Sequence, residues 1–145
     1  MRAHLVAALV AAGVSPAFAA SVNIVDGDTL SINGERIRIV DIDTPETFRS
    51  RCENELVLGL KAKERLRSLV DSGTVTFEAT GTDRYRRTLA RVFVIRGTEK
   101  INVGKALMEE GFALPYRPGG EANLERLRTW CGPDAQLDYR THNNK

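Results

Sequence analysis

The stretch between residues 25 and 46 constrains the fold of this chain more than any other. It reads VDGDTLSINGERIRIVDIDTPE, and apolar residues alternate with polar ones on both sides of the Asn-Gly pair at positions 33–34. An Asn-Gly pair between alternating runs is the strongest short-range signal of a β-hairpin. In this hairpin Ile37 and Ile39 share one face, and Arg38 lies on the other. We therefore expect two strands with one buried face and one basic face.

Carboxylates gather near one end of this hairpin. Asp28 precedes the first strand, whereas Asp43 and Glu46 follow the second. The simple register places Asp28 opposite about residue 39, so a twist or a bulge is needed to bring Asp28 close to Asp43. Oxygen ligands without cysteine or a histidine pair favour a hard cation, calcium first and magnesium second. An arginine beside such a cation suits a phosphate group, which both can bind.

The glutamate at the end of this stretch allows two interpretations. Glu46 follows Pro45, which keeps the segment out of a helix. A glutamate in this position suits the role of a general base rather than that of a ligand. The alternative is an acidic, solvated loop with an Asx-turn, and composition alone favours that alternative.

A second charged cluster, DRYRR, occupies residues 83–87. It lies in a turn between two alternating segments, residues 74–79 and 88–95, which predict β-strands. Arginine forks bind phosphate in a bidentate manner, and tyrosine offers a flat face for a nucleic-acid base. The alternative is an ordinary solvated turn.

These blocks resemble the staphylococcal nuclease (thermonuclease) family. The matching segments are VDGDT at 25–29, Arg38 followed by DTPE at 43–46, and DRYRRTLA at 83–90, and the similarity extends from about residue 22 to residue 116. The resemblance implies an α+β fold, an OB-type five-stranded β-barrel with about three α-helices. It also implies calcium-dependent hydrolysis of DNA and RNA, preferably single-stranded, that leaves 3′-phosphates.

The resemblance gives each matched residue an expected role. Three residues are expected to bind calcium, two through side chains and the last through its backbone carbonyl: Asp28, Asp43 and Thr44. Three residues are expected to act in catalysis, the first as general base and the others as phosphate clamps: Glu46, Arg38 and Arg87. Three more are expected to contact the substrate: Arg84, Tyr85 and Tyr116. For Tyr116, an ordinary surface tyrosine is an equal alternative.

The main departure from the family pattern is Arg86, where the family usually has glycine. Glycine there often supports a backbone conformation that is costly for a residue with a side chain. Either the turn sits differently, which affects the placement of Arg87, or Arg86 adds a phosphate contact. The alternative function is therefore a weak or inactive OB-fold module that binds single strands. All six metal and catalytic positions match the family, which favours the enzyme.

Residues 1–19 have the features of a signal peptide. Arg2 precedes an apolar run at residues 5–14 and an A-F-A sequence at residues 17–19. The run is too short to span a bilayer, and an uncleaved anchor is the alternative. We expect cleavage after residue 19, which leaves a secreted or periplasmic monomer with one domain, residues 20–145, and no membrane attachment.

Cleavage and export affect the charge and the cysteines. Loss of Arg2 lowers the formal net charge from +2 to about +1, so nucleic-acid binding must depend on local charge. In an oxidising compartment Cys52 and Cys131 are expected to form a disulfide. Two isolated cysteines make an incomplete zinc set, so the alternative to the disulfide is two free thiols.

Three segments have helical periodicity, and we expect them to pack on the barrel: residues 55–72, 103–110 and 122–130. The first has an apolar stripe that includes Leu60 and Leu66, with Gly73 placed to end the helix. The last has three apolar residues at helical spacing that we expect in the core: Leu124, Leu127 and Trp130.

Overall fold

The computed structural model of the protein describes residues 20–137. The expected signal peptide, residues 1–19, and the last eight residues lie outside the described part of the chain. Among residues 20–137, no helix combines the length and the hydropathy needed to span a bilayer.

An antiparallel meander of three strands opens the fold: β1 (Val22–Asp26), β2 (Thr29–Ile32) and β3 (Glu35–Ile39). Asn33 and Gly34 connect β2 to β3 with φ values of 52° and 87°, the two positive values that a type I′ hairpin turn requires. Thr29 lies opposite Arg38. The next residue along, Ile39, donates its N–H to the carbonyl of Asp28 at 2.9 Å, so the expected hairpin and its register are confirmed.

The remaining elements follow in chain order: β4 (Ile42–Asp43), α1 (Glu53–Asp71), β5 (Thr74–Thr82), β6 (Thr88–Arg96), β7 (Glu99–Asn102), α2 (Val103–Glu109), β8 (Leu114–Pro115) and α3 (Gly120–Cys131). The main sheet has the order β1-β2-β3-β6-β5, with β7 paired to the end of β6, and β4 pairs with β8. Strands β3 and β6 are parallel, with Ile37 opposite Thr88. The predicted α+β fold of OB type with three helices is confirmed.

The core lies between the inner face of this sheet and helices α1 and α2. Its fully buried large apolar residues come from both halves of the chain: Leu30, Ile37, Ile39, Ile42, Leu66, Val92, Val94, Val103 and Leu107. Burying each such side chain contributes about 1.5–3 kcal/mol relative to leaving it exposed. Strands β2, β3 and β6 supply five of these nine residues, and β4, α1 and α2 supply the other four.

One expectation about α1 is wrong. Leu60 is 52% exposed, because α1 packs through the small residues Gly59 and Ala62, and neighbouring helix positions point about 100° apart. Gly73 lies directly after the C-cap residue, so the predicted end of the helix is confirmed. Ser72 caps it by donating its N–H and its hydroxyl to the carbonyl of Leu69, at 3.1 and 2.7 Å.

Helix α3 is fixed to the start of α1. Cys52, the N-cap residue of α1, forms a disulfide with Cys131, the last residue of α3. The side-chain amide of Asn54 donates to the carbonyl of Trp130 at 2.7 Å, and the guanidinium of Arg51 lies 5.6 Å from the Trp130 ring centre. The last turn of α3 is thus held by a covalent bond and by polar contacts.

The turn between β5 and β6 is organised around Asp83. Its carboxylate accepts the backbone N–H groups of Tyr85 at 2.9 Å and of Arg87 at 3.0 Å. It also accepts a hydrogen bond from Nε of Arg87 at 2.7 Å. Arg86 has a φ of 64°, in the left-handed region that favours glycine. The turn therefore has the conformation expected for glycine, with an arginine in it.

Loss of the disulfide is expected to destabilise the protein strongly. The two cysteines are 79 residues apart, and on the chain-entropy model a loop of this length contributes about 4 kcal/mol. Urea denaturation of a Cys52→Ala, Cys131→Ala variant should show a loss of this size against the oxidised wild type. The wild type in excess reductant is the control and should fall by a similar amount. Equal stability of the oxidised wild type and the variant would contradict the prediction.

Replacing Arg86 by glycine is expected to stabilise the protein relative to replacement by alanine. Both variants remove the guanidinium, but only glycine removes the cost of the left-handed backbone, which is about 1–2 kcal/mol. The greater conformational freedom of glycine in the unfolded chain offsets part of this gain. We expect Arg86→Gly to be more stable than Arg86→Ala by about 1 kcal/mol in thermal or urea denaturation. Alanine matching or exceeding glycine would show that this backbone conformation carries no cost.

Candidate active site

The sequence-predicted residues meet at a cleft of about 690 Å³. The meander forms one side of it, and the β5–β6 turn and the segment after β8 form the other. Seven of the predicted site residues line the cleft: Asp28, Arg38, Glu46, Arg84, Tyr85, Arg87 and Tyr116. The other two, Asp43 and Thr44, are adjacent to the wall without lining it, and Thr44 is buried.

Arg38 connects the two aspartates that were expected to bind a cation. One of its terminal nitrogens, Nη1, donates to Asp28, and Nη2 donates to Oδ1 of Asp43 at 3.0 Å. The two carboxylates therefore share a guanidinium. A twist or a bulge was expected to bring Asp28 close to Asp43. The meander has a bulge in β1, between Ile24 and Asp26, and Arg38 bridges the distance between the two carboxylates.

A second arginine, Arg126 of α3, also reaches Asp43. Its Nε lies 2.7 Å from Oδ2 of Asp43, so each oxygen of this carboxylate has a guanidinium partner. Arg126 was not among the residues expected at the site, because only the apolar residues of this amphipathic helix were assigned a role, in the core. Its position four residues before Trp130, on the same helix face, was the available signal.

Burial and mutual repulsion raise the pKa values of several carboxyl groups here. Desolvation by burial and then repulsion from Asp28 raise the pKa of Asp43. Burial also raises the pKa of Asp26. Glu46 is exposed at the surface of the cleft, yet desolvation by the surrounding protein and repulsion from Asp26, Asp28 and Asp43 raise its pKa to about 7. The site therefore concentrates negative charge that the protein only partly neutralises.

The loops that carry Asp28 and Glu46 pack against α1. A Cβ on Gly27 would lie 2.7 Å from Oγ1 of Thr44 and 2.9 Å from Cβ of Ala62. A Cβ on Gly59 would lie 2.7 Å from the carbonyl of Pro45. Because neither glycine has room for a side chain, the loops bearing Asp28 and Glu46 lie directly against the helix.

The opposite wall carries arginine and tyrosine. The Tyr85 side chain is 64% exposed, and the guanidinium carbons of Arg84 and Arg87 lie 4.8 and 5.5 Å from its ring centre. Tyr116 is half exposed, with the guanidinium carbon of Arg38 6.0 Å from its ring centre. Flat aromatic faces beside guanidinium groups match the bases and phosphates of nucleic acid.

The donor set of the cleft fits a hard divalent cation. Four carboxylates at the cleft and its margin, Asp26, Asp28, Asp43 and Glu46, outnumber the two guanidinium groups paired with Asp28 and Asp43, which gives a formal charge of −2 when all four are ionised. All the donors are oxygen atoms, as calcium and magnesium prefer. Within residues 20–137, three metal-binding side chains converge within 4.8 Å only at Cys52, Glu55 and Cys131. That group is not a metal site here, because its sulfurs form the disulfide and its carboxylate binds Arg51.

Comparisons with known proteins show the family of this chain. The staphylococcal nuclease homologue family matches residues 36–130. A micrococcal nuclease of Shigella flexneri is 33% identical over 140 residues, covering 82% of this chain and 76% of that protein. Protein ParB of Escherichia coli is 33% identical over 135 residues, covering 79% and 72%. An uncharacterized endonuclease of Haemophilus influenzae is 33% identical over 101 residues, covering 66% and 51%. The chain belongs to the staphylococcal nuclease family.

Proposed function

We propose that this protein is a calcium-dependent nuclease that hydrolyses phosphodiester bonds of DNA and RNA and leaves 3′-phosphates. The observation that carries the proposal is the excess of carboxylates beside Arg38, in one cleft with Arg84, Arg87 and two exposed tyrosines. A divalent cation balances that excess, and the opposite wall suits a polynucleotide. The family membership supports a nuclease acting on nucleic acid.

Calcium would be held by the carboxylates of Asp28 and Asp43 and by the backbone carbonyl of Thr44. When bound, the ion supplies positive charge to the phosphate oxygens and to the attacking water. Asp28 and Thr44 are buried, and Thr29 donates its hydroxyl to Asp28 at 2.9 Å, so these two ligands are held in fixed positions. A calcium site made by rigid loops binds without a large ordering cost.

Glu46 is the proposed general base. It is exposed to the cleft, where it removes a proton from water as the water oxygen attacks phosphorus and the P–O5′ bond breaks, and the leaving 5′-oxygen takes up a proton from solvent to become a hydroxyl. A pKa of about 7 in the metal-free cleft lies in the range suited to a base working near neutral pH. Its segment rests on Gly59 of α1, which limits the positions that the carboxylate can take.

Arg38 and Arg87 are the proposed phosphate clamps. Negative charge builds up on the equatorial oxygens during attack, and guanidinium groups in a partly dry cleft stabilise it. Asp83 holds Arg87 through Nε and the backbone N–H, so that arginine is ordered before substrate binds. Arg38 is ordered in the same way by Asp28 and Asp43.

Arg84, Tyr85 and Tyr116 are proposed to bind the substrate nucleotides. Exposed tyrosine rings offer stacking faces, which suits unpaired bases better than a closed duplex. This supports a preference for single-stranded nucleic acid. We further propose that the protein acts as a secreted or periplasmic monomer after cleavage of residues 1–19, without membrane attachment.

The base is tested by digestion of heat-denatured DNA with the wild type and a Glu46→Gln variant. The wild type should degrade DNA in calcium and lose that activity in excess chelator. The Glu46→Gln variant should lose about 10²–10⁴-fold in rate, because it cannot accept the proton from water.

The matched control is Asp41→Asn, which removes another carboxylate of the same cleft. Asp41 has a side chain 71% exposed and no proposed role, so its variant should keep nearly full activity. Equal losses in the two variants would refute the role of Glu46. A folded wild type that retards single-stranded DNA in a gel without cutting it in calcium would favour the alternative, a binding module of OB type.

The stacking role is tested at Tyr85. Tyr85→Ala should raise KM for single-stranded DNA by about 5- to 150-fold, since stacking on an aromatic side chain contributes about 1–3 kcal/mol per base. Tyr85→Phe keeps the ring and removes only the hydroxyl that accepts from Arg84, so its KM should stay close to the wild-type value. A larger effect of phenylalanine than of alanine would contradict stacking.

A further inference from the structure

We propose that Arg126 is a positioning residue that sets the orientation of the Asp43 carboxylate for cation binding. This inference rests on the proposed function, in which Asp43 is a calcium ligand. It adds helix α3 to the machinery, although α3 supplies no residue to the wall of the cleft.

Arg126 makes three interactions that no other residue of α3 makes. Its Nε lies 2.7 Å from Oδ2 of Asp43, and its Nη1 donates to the carbonyl of Arg117 at 2.9 Å. Its guanidinium carbon lies 5.7 Å from the ring centre of Tyr116. The residue is 9% exposed, so these contacts are shielded from water. A planar guanidinium with two committed nitrogens fixes the direction of the carboxylate it binds.

Contacts on both sides of Arg126 hold it in place. Asn123, one turn before it, accepts a hydrogen bond from Arg51 at 3.0 Å. Leu127 and Trp130 are buried directly after it, and Cys131 is linked to Cys52. Because α3 is fixed at both ends of this segment, Arg126 remains at Asp43 whether or not a cation is present.

The two guanidinium groups at Asp43 have different surroundings. Arg38 lines the cleft and is a proposed phosphate clamp, whereas Arg126 lies behind Asp43. With Oδ2 held by Arg126, the carboxylate presents Oδ1 towards Arg38 and Asp28. Arg126 also lowers the negative charge available to a cation, which by itself weakens cation binding. We expect the orientation to outweigh the charge, because groups that hydrogen-bond a ligating carboxylate typically improve metal affinity or activity by 10- to 100-fold.

The test is the calcium dissociation constant of the full chain, measured by isothermal titration calorimetry without nucleic acid. Arg126→Met keeps the length of the side chain and removes the ion pair with Asp43 and the hydrogen bond to Arg117, and it should raise Kd by about 10- to 100-fold. Arg128→Met is the control, since it makes the same chemical change on an exposed residue of the same helix. Its Kd should equal that of the wild type.

Circular dichroism would show whether Arg126→Met folds, and a second variant tests the inference if it does not. Arg126→Lys keeps the charge, but an ammonium cannot reproduce the guanidinium fork to both Asp43 and Arg117, so its Kd should rise severalfold with the fold intact. A folded Arg126→Met with wild-type or tighter calcium binding would overturn the inference. If Arg126→Met does not fold, a wild-type Kd in Arg126→Lys would overturn it. A wild type that binds no calcium would instead refute the proposed function.

Discussion

The placement of Arg38 between Asp28 and Asp43 is the interaction on which the rest of the site depends. Two buried or half-buried carboxylates repel each other, and the raised pKa of Asp43 reflects that repulsion together with burial. One guanidinium stabilises both as charged groups. Without it, Asp28 would keep only the hydroxyl of Thr29 and Asp43 only Arg126, so the pair would carry a larger uncompensated desolvation penalty. The ion pairs therefore make it possible for the fold to keep acidic oxygens at this position.

The hairpin turn determines where this guanidinium lies. Because Asn33 and Gly34 form a two-residue connection, Thr29 faces Arg38, and Asp28 lies one step beyond. A slip of one residue would move Arg38 to the buried face and Ile37 or Ile39 to the cleft. The same positive φ values that make the turn tight thus place the charge of the site. Burial of the two isoleucines keeps the register from changing.

The parts of the site within this hairpin and the β5–β6 turn could be predicted, because short-range rules govern them. Alternation and an Asn-Gly turn act over a few residues, and they predicted the register of the hairpin, whereas the residues of the cleft wall were expected from their match to the family blocks. Arg126 could not be found in this way. It comes from a helix more than eighty residues after Asp43 in the chain, and its position depends on how α3 docks against α1. The exposure of Leu60 has a similar cause, since the small residues Gly59 and Ala62 determine which face of α1 packs.

Arg86, where the family usually has glycine, does not displace Arg87, because Asp83 binds the backbone of the turn on both sides of Arg86. The carboxylate of Asp83 accepts the N–H groups of Tyr85 and Arg87, and the N–H of Arg86 donates to the carbonyl of Asp83 at 3.0 Å. These bonds involve the backbone alone at position 86 and so are indifferent to its side chain. The left-handed conformation is a local cost of the order of 1–2 kcal/mol that the turn can absorb. The side chain of Arg87 stays bound to Asp83, while Arg86 adds a positive charge to the exposed surface of the turn. The net charge of the chain is close to zero, so attraction to a polyanion has to come from local groups of positive charge. The charge of Arg86 strengthens the positive field at the cleft wall.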